Sequence, residues 1–116
     1  MANVPIVEGT VFRGDLNMFG TVYDYFLTID KAENGILNFS HKLMRGSFIE
    51  DQKSGEGKYT QLDDNNYEIE YQDPETLFKG VFKPDEGTFV GLTNQIGGFL
   101  IGAAGSFDTK VYIAEQ

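Results

Sequence analysis

The chain has 116 residues, no cysteine, no tryptophan and a formal net charge of −9. The absence of cysteine excludes a disulfide framework and thiolate zinc sites, and the negative charge argues against binding to the phosphate backbone of nucleic acids. We therefore expect a single domain over residues 1–116 that buries a core without covalent staples, and no nucleic-acid partner.

Strand patterns recur along the whole chain, and no window longer than ten residues carries a helical apolar stripe free of glycine. The predicted strands, in chain order, cover residues 5–13, 21–30, 36–44, 46–50, 57–63, 66–72, 77–83, 87–92, 96–103 and 105–114. This succession predicts an all-β domain.

The segments between these strands contain residues that favour tight turns. Asn34-Gly35 supplies the positive φ angles of a two-residue hairpin loop. Asp73 followed by Pro74 is typical of a type I turn. Ser54-Gly55-Glu56-Gly57 is interpreted as a flexible loop tip. Short turns join antiparallel neighbours, so the pattern predicts a meander.

Two of these turns predict the register of the strands that they join. Direct closure after Asp73 places Tyr71 opposite Phe78 and Tyr67 opposite Phe82, with Glu70 facing Lys79 on the other surface. Closure at Asn34-Gly35 with one bulged glycine places Ile29 opposite Leu37, Leu27 opposite Phe39, Tyr25 opposite His41 and Tyr23 opposite Leu43.

A wide antiparallel sheet in a short chain removes its exposed edges by curling and closing. We therefore predict an up-and-down meander that closes into a small β-barrel, with a two-sheet β-sandwich as the alternative. In strand count and turn spacing the chain resembles the calycin-type meander barrels, the lipocalin and avidin architectures, although the lipocalin Gly-x-Trp signature is absent because there is no tryptophan. The resemblance implies a barrel.

The candidate site surrounds His41, the one histidine of the chain. In the expected register Tyr25 is its neighbour, and Tyr23 and Arg45 follow on the same face. A histidine with hydroxyl and guanidinium groups can anchor a ligand and can act as acid and base near neutral pH. The same pattern also fits a structural histidine at a strand end. The expected ligand-binding residues are Tyr23, Tyr25, His41, Arg45, Tyr67 and Tyr71, and the catalytic candidates are His41 and Tyr25.

From these features we expect a binding module for an apolar or aromatic small ligand, with a polar anchor at His41 and Tyr25. Three alternatives stay open: an acidic interaction or oligomerising protein, a small isomerase, cyclase or lyase using a His41–Tyr25 acid–base pair, and a carbohydrate-binding barrel. We expect no metal site, because one histidine and no cysteine exclude the usual zinc shells, and no cofactor, because no nucleotide-binding motif is present.

The segment from Gly87 to Phe107 contains no charged residue, and its apolar part is too short to cross a bilayer as a helix. We therefore expect no membrane span and predict homo-oligomerisation through residues 89–103. The acidic residues concentrate in 50–86, with eleven acidic residues against four lysines, which suits a solvated surface or a face for a cationic partner. The start of the chain shows no signal-peptide pattern, so a cytoplasmic location is favoured.

Overall fold

A computed structural model describes residues 8–73 and 75–112 of the chain. Eight antiparallel strands follow one another in a meander, and the last strand pairs with the first, so that the sheet closes into a barrel. The strands are β1 (Val11–Met18), β2 (Thr21–Glu33), β3 (Ile36–Arg45), β4 (Phe48–Gln61), β5 (Tyr67–Gln72), β6 (Thr76–Lys83), β7 (Thr88–Gln95) and β8 (Ala104–Val111). The predicted all-β meander barrel is confirmed, and the alternative sandwich does not form.

Three strand predictions differ from the structure. The strand expected over residues 5–13 overlaps β1 only at residues 11–13, and β1 continues to Met18. Residues 46–50 and 57–63 were expected as separate strands, but β4 runs from Phe48 to Gln61 through the expected loop tip. The glycines there serve close packing, since a Cβ on Gly57 would lie 2.8 Å from Cβ of Tyr71. Some predicted positions lie outside the described residues. They are residues 5–7 of the first predicted strand, residues 113–114 of the last one, and Pro74 of the expected turn.

The predicted strand over residues 96–103 is wrong, because these residues form a loop between β7 and β8. Gly98 and Gly102 have φ angles of 76° and 91°, which a regular strand does not contain. The Gly102 amide donates to the Gln95 carbonyl at 2.8 Å and closes the loop.

The register after Asp73 is confirmed: Tyr71 faces Phe78, Tyr67 faces Phe82 and Glu70 faces Lys79. The hairpin between β2 and β3 has the expected Asn34-Gly35 turn, with φ angles of 54° and 84°. Its expected register is wrong by two residues.

The bulge that sets this hairpin register falls between Ile29 and Lys31. Tyr25 therefore lies opposite Leu43, and His41 lies opposite Leu27. The extra residue is Asp30, whose carboxylate accepts a hydrogen bond from Ser40 Oγ at 2.6 Å. A shift of two residues keeps each side chain on its predicted face.

Aromatic rings fill the inside of the barrel. The Tyr71 ring stacks on Phe78 with centroids 4.5 Å apart and planes inclined by 6°, and it packs against Phe39 at 4.0 Å. Gly80 and Gly91 face each other across β6 and β7 and leave room for the ring of Phe107. The buried hydrophobic core consists of Phe12, Leu16, Tyr25, Leu27, Ile29, Leu37, Phe39, Leu43, Tyr67, Ile69, Tyr71, Phe78, Phe82, Phe89 and Phe107.

The barrel wall is incomplete beside the first half of β4. Pairing between β4 and β5 runs only over Gly57–Gln61, whereas residues 48–56 pair with β3. Asp51 and Lys53 lie opposite the buried Leu43 and His41, so they belong to the inner face of β4, yet both remain accessible to solvent. We call this opening the seam.

Exposed apolar side chains collect at one end of the barrel. In a meander, the β1–β2, β3–β4, β5–β6 and β7–β8 connections all lie at the same end. Phe99 is fully exposed in the β7–β8 connection, and further apolar side chains are exposed in or beside the connections at this end: Phe19, Val22, Phe48, Ile49, Ile96, Leu100 and Ile101. We call this the apolar end. The described residues include no helix that is long and apolar enough to span a membrane.

Candidate functional site

A chain of hydrogen bonds runs from the barrel core to the seam. The hydroxyl of Tyr25 on β2 bonds to the hydroxyl of Tyr71 on β5, which lies 2.8 Å from Nδ1 of His41 on β3. Nε2 of His41 lies 3.3 Å from Oδ2 of Asp51, and Lys53 Nζ donates to Oδ1 of Asp51 at 3.0 Å. We call these five residues the hydrogen-bond chain.

The chemistry of the partners assigns a direction to these bonds. An ionised Asp51 carboxylate only accepts, so His41 donates through Nε2–H and Nδ1 is left as an acceptor. Tyr71 then donates its hydroxyl proton to His41 and accepts the proton of Tyr25. Tyr25, Tyr71 and His41 therefore each donate a hydrogen bond to the next residue of the chain toward the seam.

Burial sets the protonation states along the chain. Desolvation lowers the pKa of His41 below its ordinary 6.5, against the opposing hydrogen bond and charge of Asp51, so the imidazole is neutral at pH 7. Burial also raises the pKa of Tyr25 and of Tyr71 well above 10. Burial acts to raise the pKa of Asp51, but hydrogen bonds from Lys53 and His41 outweigh it, and the pKa falls below its ordinary value.

The outer end of the chain is rich in carboxylates. Asp73, in the connection between β5 and β6, places a carboxylate oxygen within 4.8 Å of ligand atoms of His41 and Asp51. Its Oδ1 accepts the backbone amides of Glu75 at 3.0 Å and Thr76 at 2.8 Å, which fixes the side chain. The hydrogen bond and charge of Asp51 raise the pKa of Lys53, and the charges of Asp73 and Glu75 add to that effect.

The β7–β8 connection lies beside this carboxylate group. The amide of Ile96 donates to the carbonyl of Glu75 at 2.8 Å, and a Cβ on Gly98 would lie 2.9 Å from the Glu75 carboxylate. The exposed apolar side chains of that connection therefore flank the polar seam. An amphipathic molecule would meet both kinds of surface here.

Of the residues that the sequence singled out, the structure brings three together. Tyr25, His41 and Tyr71 are buried in one cluster. The rings of Tyr25 and His41 pack edge-to-face with centroids 6.2 Å apart, but the hydrogen-bond connection between them passes through Tyr71. The expected direct pairing of Tyr25 with His41 followed from the wrong register.

The other three predicted ligand-binding residues lie elsewhere. Arg45 points to solvent and pairs with Glu50 at 3.0 Å. It shares with Tyr23 a separate open groove of about 560 Å³ between β1, β2 and β3. Tyr67 is the first residue of β5, at the end of the strand far from the seam. It is buried and lies opposite Phe82.

Sequence reasoning missed Asp51, Lys53 and Asp73. Alternation along β4 would have placed Asp51 and Lys53 on one face, but the interpretation of residues 54–57 as a loop tip cut that strand. Asp73 was recognised only as a turn residue, because its approach to His41 depends on how the barrel closes.

Comparison of the sequence with protein-family models and with curated proteins gives no match. We therefore infer function from the geometry of the barrel and its seam.

Proposed function

We propose that this protein is a binding module for a small amphipathic ligand, held at the seam by its polar group and at the apolar end by its apolar or aromatic body. The observation that carries this proposal is the hydrogen-bond chain, which begins among buried rings and ends at Asp51 and Lys53 in an open part of the wall. A few convergent polar groups beside apolar surface are typical of small-molecule sites.

The site for the ligand body lies at the rim rather than at the barrel centre. Inside the barrel the ring of Tyr71 contacts the ring of Phe39, with centroids 4.0 Å apart, and the ring of Phe78, with centroids 4.5 Å apart. Side chains fill the interior of small eight-stranded barrels in this way. Ile49, at 49% exposure, and the β7–β8 connection offer accessible apolar surface.

The charges at the seam favour a ligand whose polar group is cationic. Asp51, Asp73 and Glu75 surround Lys53, which supplies the opposing charge. Carboxylates accept hydrogen bonds from an ammonium group, and hydrogen bonds to charged groups contribute roughly 1.5–3 kcal/mol each. We therefore infer an apolar or aromatic amine as the class of ligand.

The test uses two probes with the same ring and opposite charge, tryptamine and indole-3-propionate. The chain has no tryptophan, so indole fluorescence anisotropy reports the probe without protein background. We expect tryptamine to bind more tightly, and Asp51→Asn to weaken it about tenfold, the effect of ~1.4 kcal/mol.

Asp63→Asn is the matched control for this experiment. Like Asp51, Asp63 accepts a hydrogen bond from a side chain, that of Asn66 at 2.8 Å, but it lies in the β4–β5 connection at the opposite end of the barrel. Its replacement should leave the affinity unchanged. Equal affinities of the two probes, or equal effects of the two variants, would contradict the proposed site.

Homo-oligomerisation through residues 89–103 is a second proposal, favoured by the exposed apolar side chains there. Leu92 and Ile101 are 65% and 67% exposed and Phe99 is fully exposed, whereas Phe89 is buried in the core. Contiguous exposed apolar surface often marks a site of association. Phe99→Ser should shift the wild-type oligomer toward monomer in sedimentation velocity. Leu62→Ser, at a side chain 51% exposed at the opposite end of the barrel, should not. A monomeric wild type at high concentration would overturn this proposal.

An acid–base enzyme of the isomerase, cyclase or lyase kind is another candidate from the sequence. The neutral His41 is suited to accept a proton, but Tyr25 and Tyr71 hold their protons strongly because burial raises their pKa values. A substrate would have to reach His41 past Asp51. The binding function needs only the accessible outer end of the chain, which is why the geometry supports it better.

A further inference from the structure

Three side chains converge at the seam: His41, Asp51 and Asp73. They come from β3, β4 and the connection between β5 and β6, so the barrel fold brings together groups that are distant in sequence. Each offers one ligand atom, and these atoms lie within 4.8 Å of one another.

We propose that His41 Nε2, Asp51 and Asp73 form a binding site for one divalent transition-metal ion at the seam. One imidazole nitrogen and two carboxylate oxygens suit ions such as Zn²⁺ and Mn²⁺, with the solvent side left for water or a ligand group. This inference rests on the proposed binding function, because it uses the same opening in the barrel wall. It extends that function by naming an ion that would bind there.

The supporting geometry begins behind the histidine. Metal-binding histidines commonly hydrogen-bond through the ring nitrogen that does not bind the ion, and this bond orients the ring. In His41 that nitrogen is Nδ1, at 2.8 Å from the Tyr71 hydroxyl, and the ring is fully buried. His41 Nε2 therefore points toward Asp51 in a fixed direction.

The carboxylates supply both an anchored and a movable ligand. Asp73 is held by two backbone amides through Oδ1. The Asp51 side chain is 28% exposed and therefore has room to rotate. His41 Nε2 and Asp51 Oδ2 are already 3.3 Å apart, so a zinc ion with bonds of ~2.0–2.2 Å can lie between them. Rotation of Asp51 can then adjust its distance to Asp73.

Lys53 shows that the seam already attracts positive charge. Its ammonium group bonds to Asp51 at 3.0 Å, and its side chain is 41% exposed on a flexible stem. An arriving ion would displace Lys53 into solvent and supply the positive charge in its place.

Binding of the ion at Nε2 requires a change of tautomer in His41. The proton leaves Nε2 and the ring becomes protonated at Nδ1, which then donates to Tyr71. Tyrosine hydroxyls both donate and accept, so the bond between Tyr71 and Tyr25 can reverse its direction. The hydroxyl proton of Tyr25 would then face the neighbouring rings of Phe78 and Phe107.

The experiment combines calorimetry with nitrogen NMR on the full chain. ZnCl₂ is titrated into wild type, Asp73→Asn and the matched control Asp63→Asn. We expect one equivalent to bind to wild type and to the control, and Asp73→Asn to bind at least ~10-fold more weakly, as losses of metal-site residues typically do. Asn can still accept the two backbone amides, so the connection should keep its shape.

Long-range nitrogen–proton spectra then report the imidazole directly, because the chain contains a single histidine. The ring should change from the Nε2–H to the Nδ1–H tautomer as zinc is added. Absence of binding at millimolar zinc, an unchanged tautomer, or equal affinity of Asp73→Asn and wild type would overturn the metal site. Tryptamine binding is measured separately in the absence of metal. Its result tests the amine-binding proposal independently of the zinc titration.

Discussion

Removing the hydroxyl group of Tyr71 should destabilise the protein much more than removing that of Tyr25. Tyr71 is the middle member of the hydrogen-bond chain, and Tyr25 is its inner end. In Tyr71→Phe, the Tyr25 hydroxyl loses its acceptor and His41 Nδ1 loses its donor, and both groups are buried. In Tyr25→Phe, Tyr71 still donates to His41.

The magnitudes follow from the number of buried groups left without a partner. Each such group costs about 1–3 kcal/mol, whereas loss of one ordinary hydrogen bond costs about 0.5–1.5 kcal/mol. We therefore expect a loss of roughly 2–6 kcal/mol for Tyr71→Phe and roughly 0.5–1.5 kcal/mol for Tyr25→Phe. The double variant no longer contains the stranded Tyr25 hydroxyl, so it should be more stable than Tyr71→Phe alone.

Urea denaturation followed by far-UV circular dichroism measures these free energies of unfolding. The four proteins form a double-mutant cycle whose interaction energy is the quantity of interest. Equal losses for the two single variants, or losses that simply add in the double variant, would refute the directional chain from Tyr25 through Tyr71 to His41.

Two further predictions concern the barrel interior. Gly91→Ala should cost about 1–3 kcal/mol by overpacking, because its Cβ would overlap the Lys79 carbonyl oxygen and the Gly80 Cα of the neighbouring strand and lie 2.7 Å from Cζ of Phe107. Gly55→Ala, with its Cβ at 3.5 Å from the Phe39 ring, should leave the urea midpoint almost unchanged. Burial raises the pKa of Tyr25 and Tyr71 above the ordinary 10.0, so the unfolded chain loses these protons first and stability should fall as the pH rises above 10.0. Their ionisation, followed by ultraviolet absorbance, should coincide with loss of the circular dichroism signal, and ionisation of both in the folded protein would contradict the buried chain.

The barrel could be predicted from the sequence because turns and the alternation of buried side chains depend on residues that are neighbours in the chain. Turn residues such as Asn34-Gly35 and Asp73 fix which strands are neighbours, and the alternation of Tyr67, Ile69 and Tyr71 fixes which face is buried. The bulge at Asp30 was not predictable in the same way. One added residue reverses the alternation beyond it, but only three residues of β2 follow Asp30, too few for the reversal to show in the sequence.

The loop at 96–103 was mistaken for a strand because apolar residues there were assumed to be buried. Phe99 is instead fully exposed, which no periodicity indicates. The inner half of the candidate site could be predicted, since His41 is the single histidine and aromatic residues surround it. Its outer half depends on the approach of Asp73 to Asp51 across the open wall, a contact set by tertiary closure.

The open edge of β4 also bears on the solubility of the folded protein. A strand edge with free backbone groups is a template onto which another chain can add, and natural proteins discourage such addition with charged side chains. Residues 48–56 carry Glu50, Asp51, Lys53 and Glu56 along this edge. Glu50 and Glu56 should therefore act as gatekeepers against fibrillar assembly, and replacing both with threonine would convert the gap in the barrel wall into a nucleus for cross-β growth.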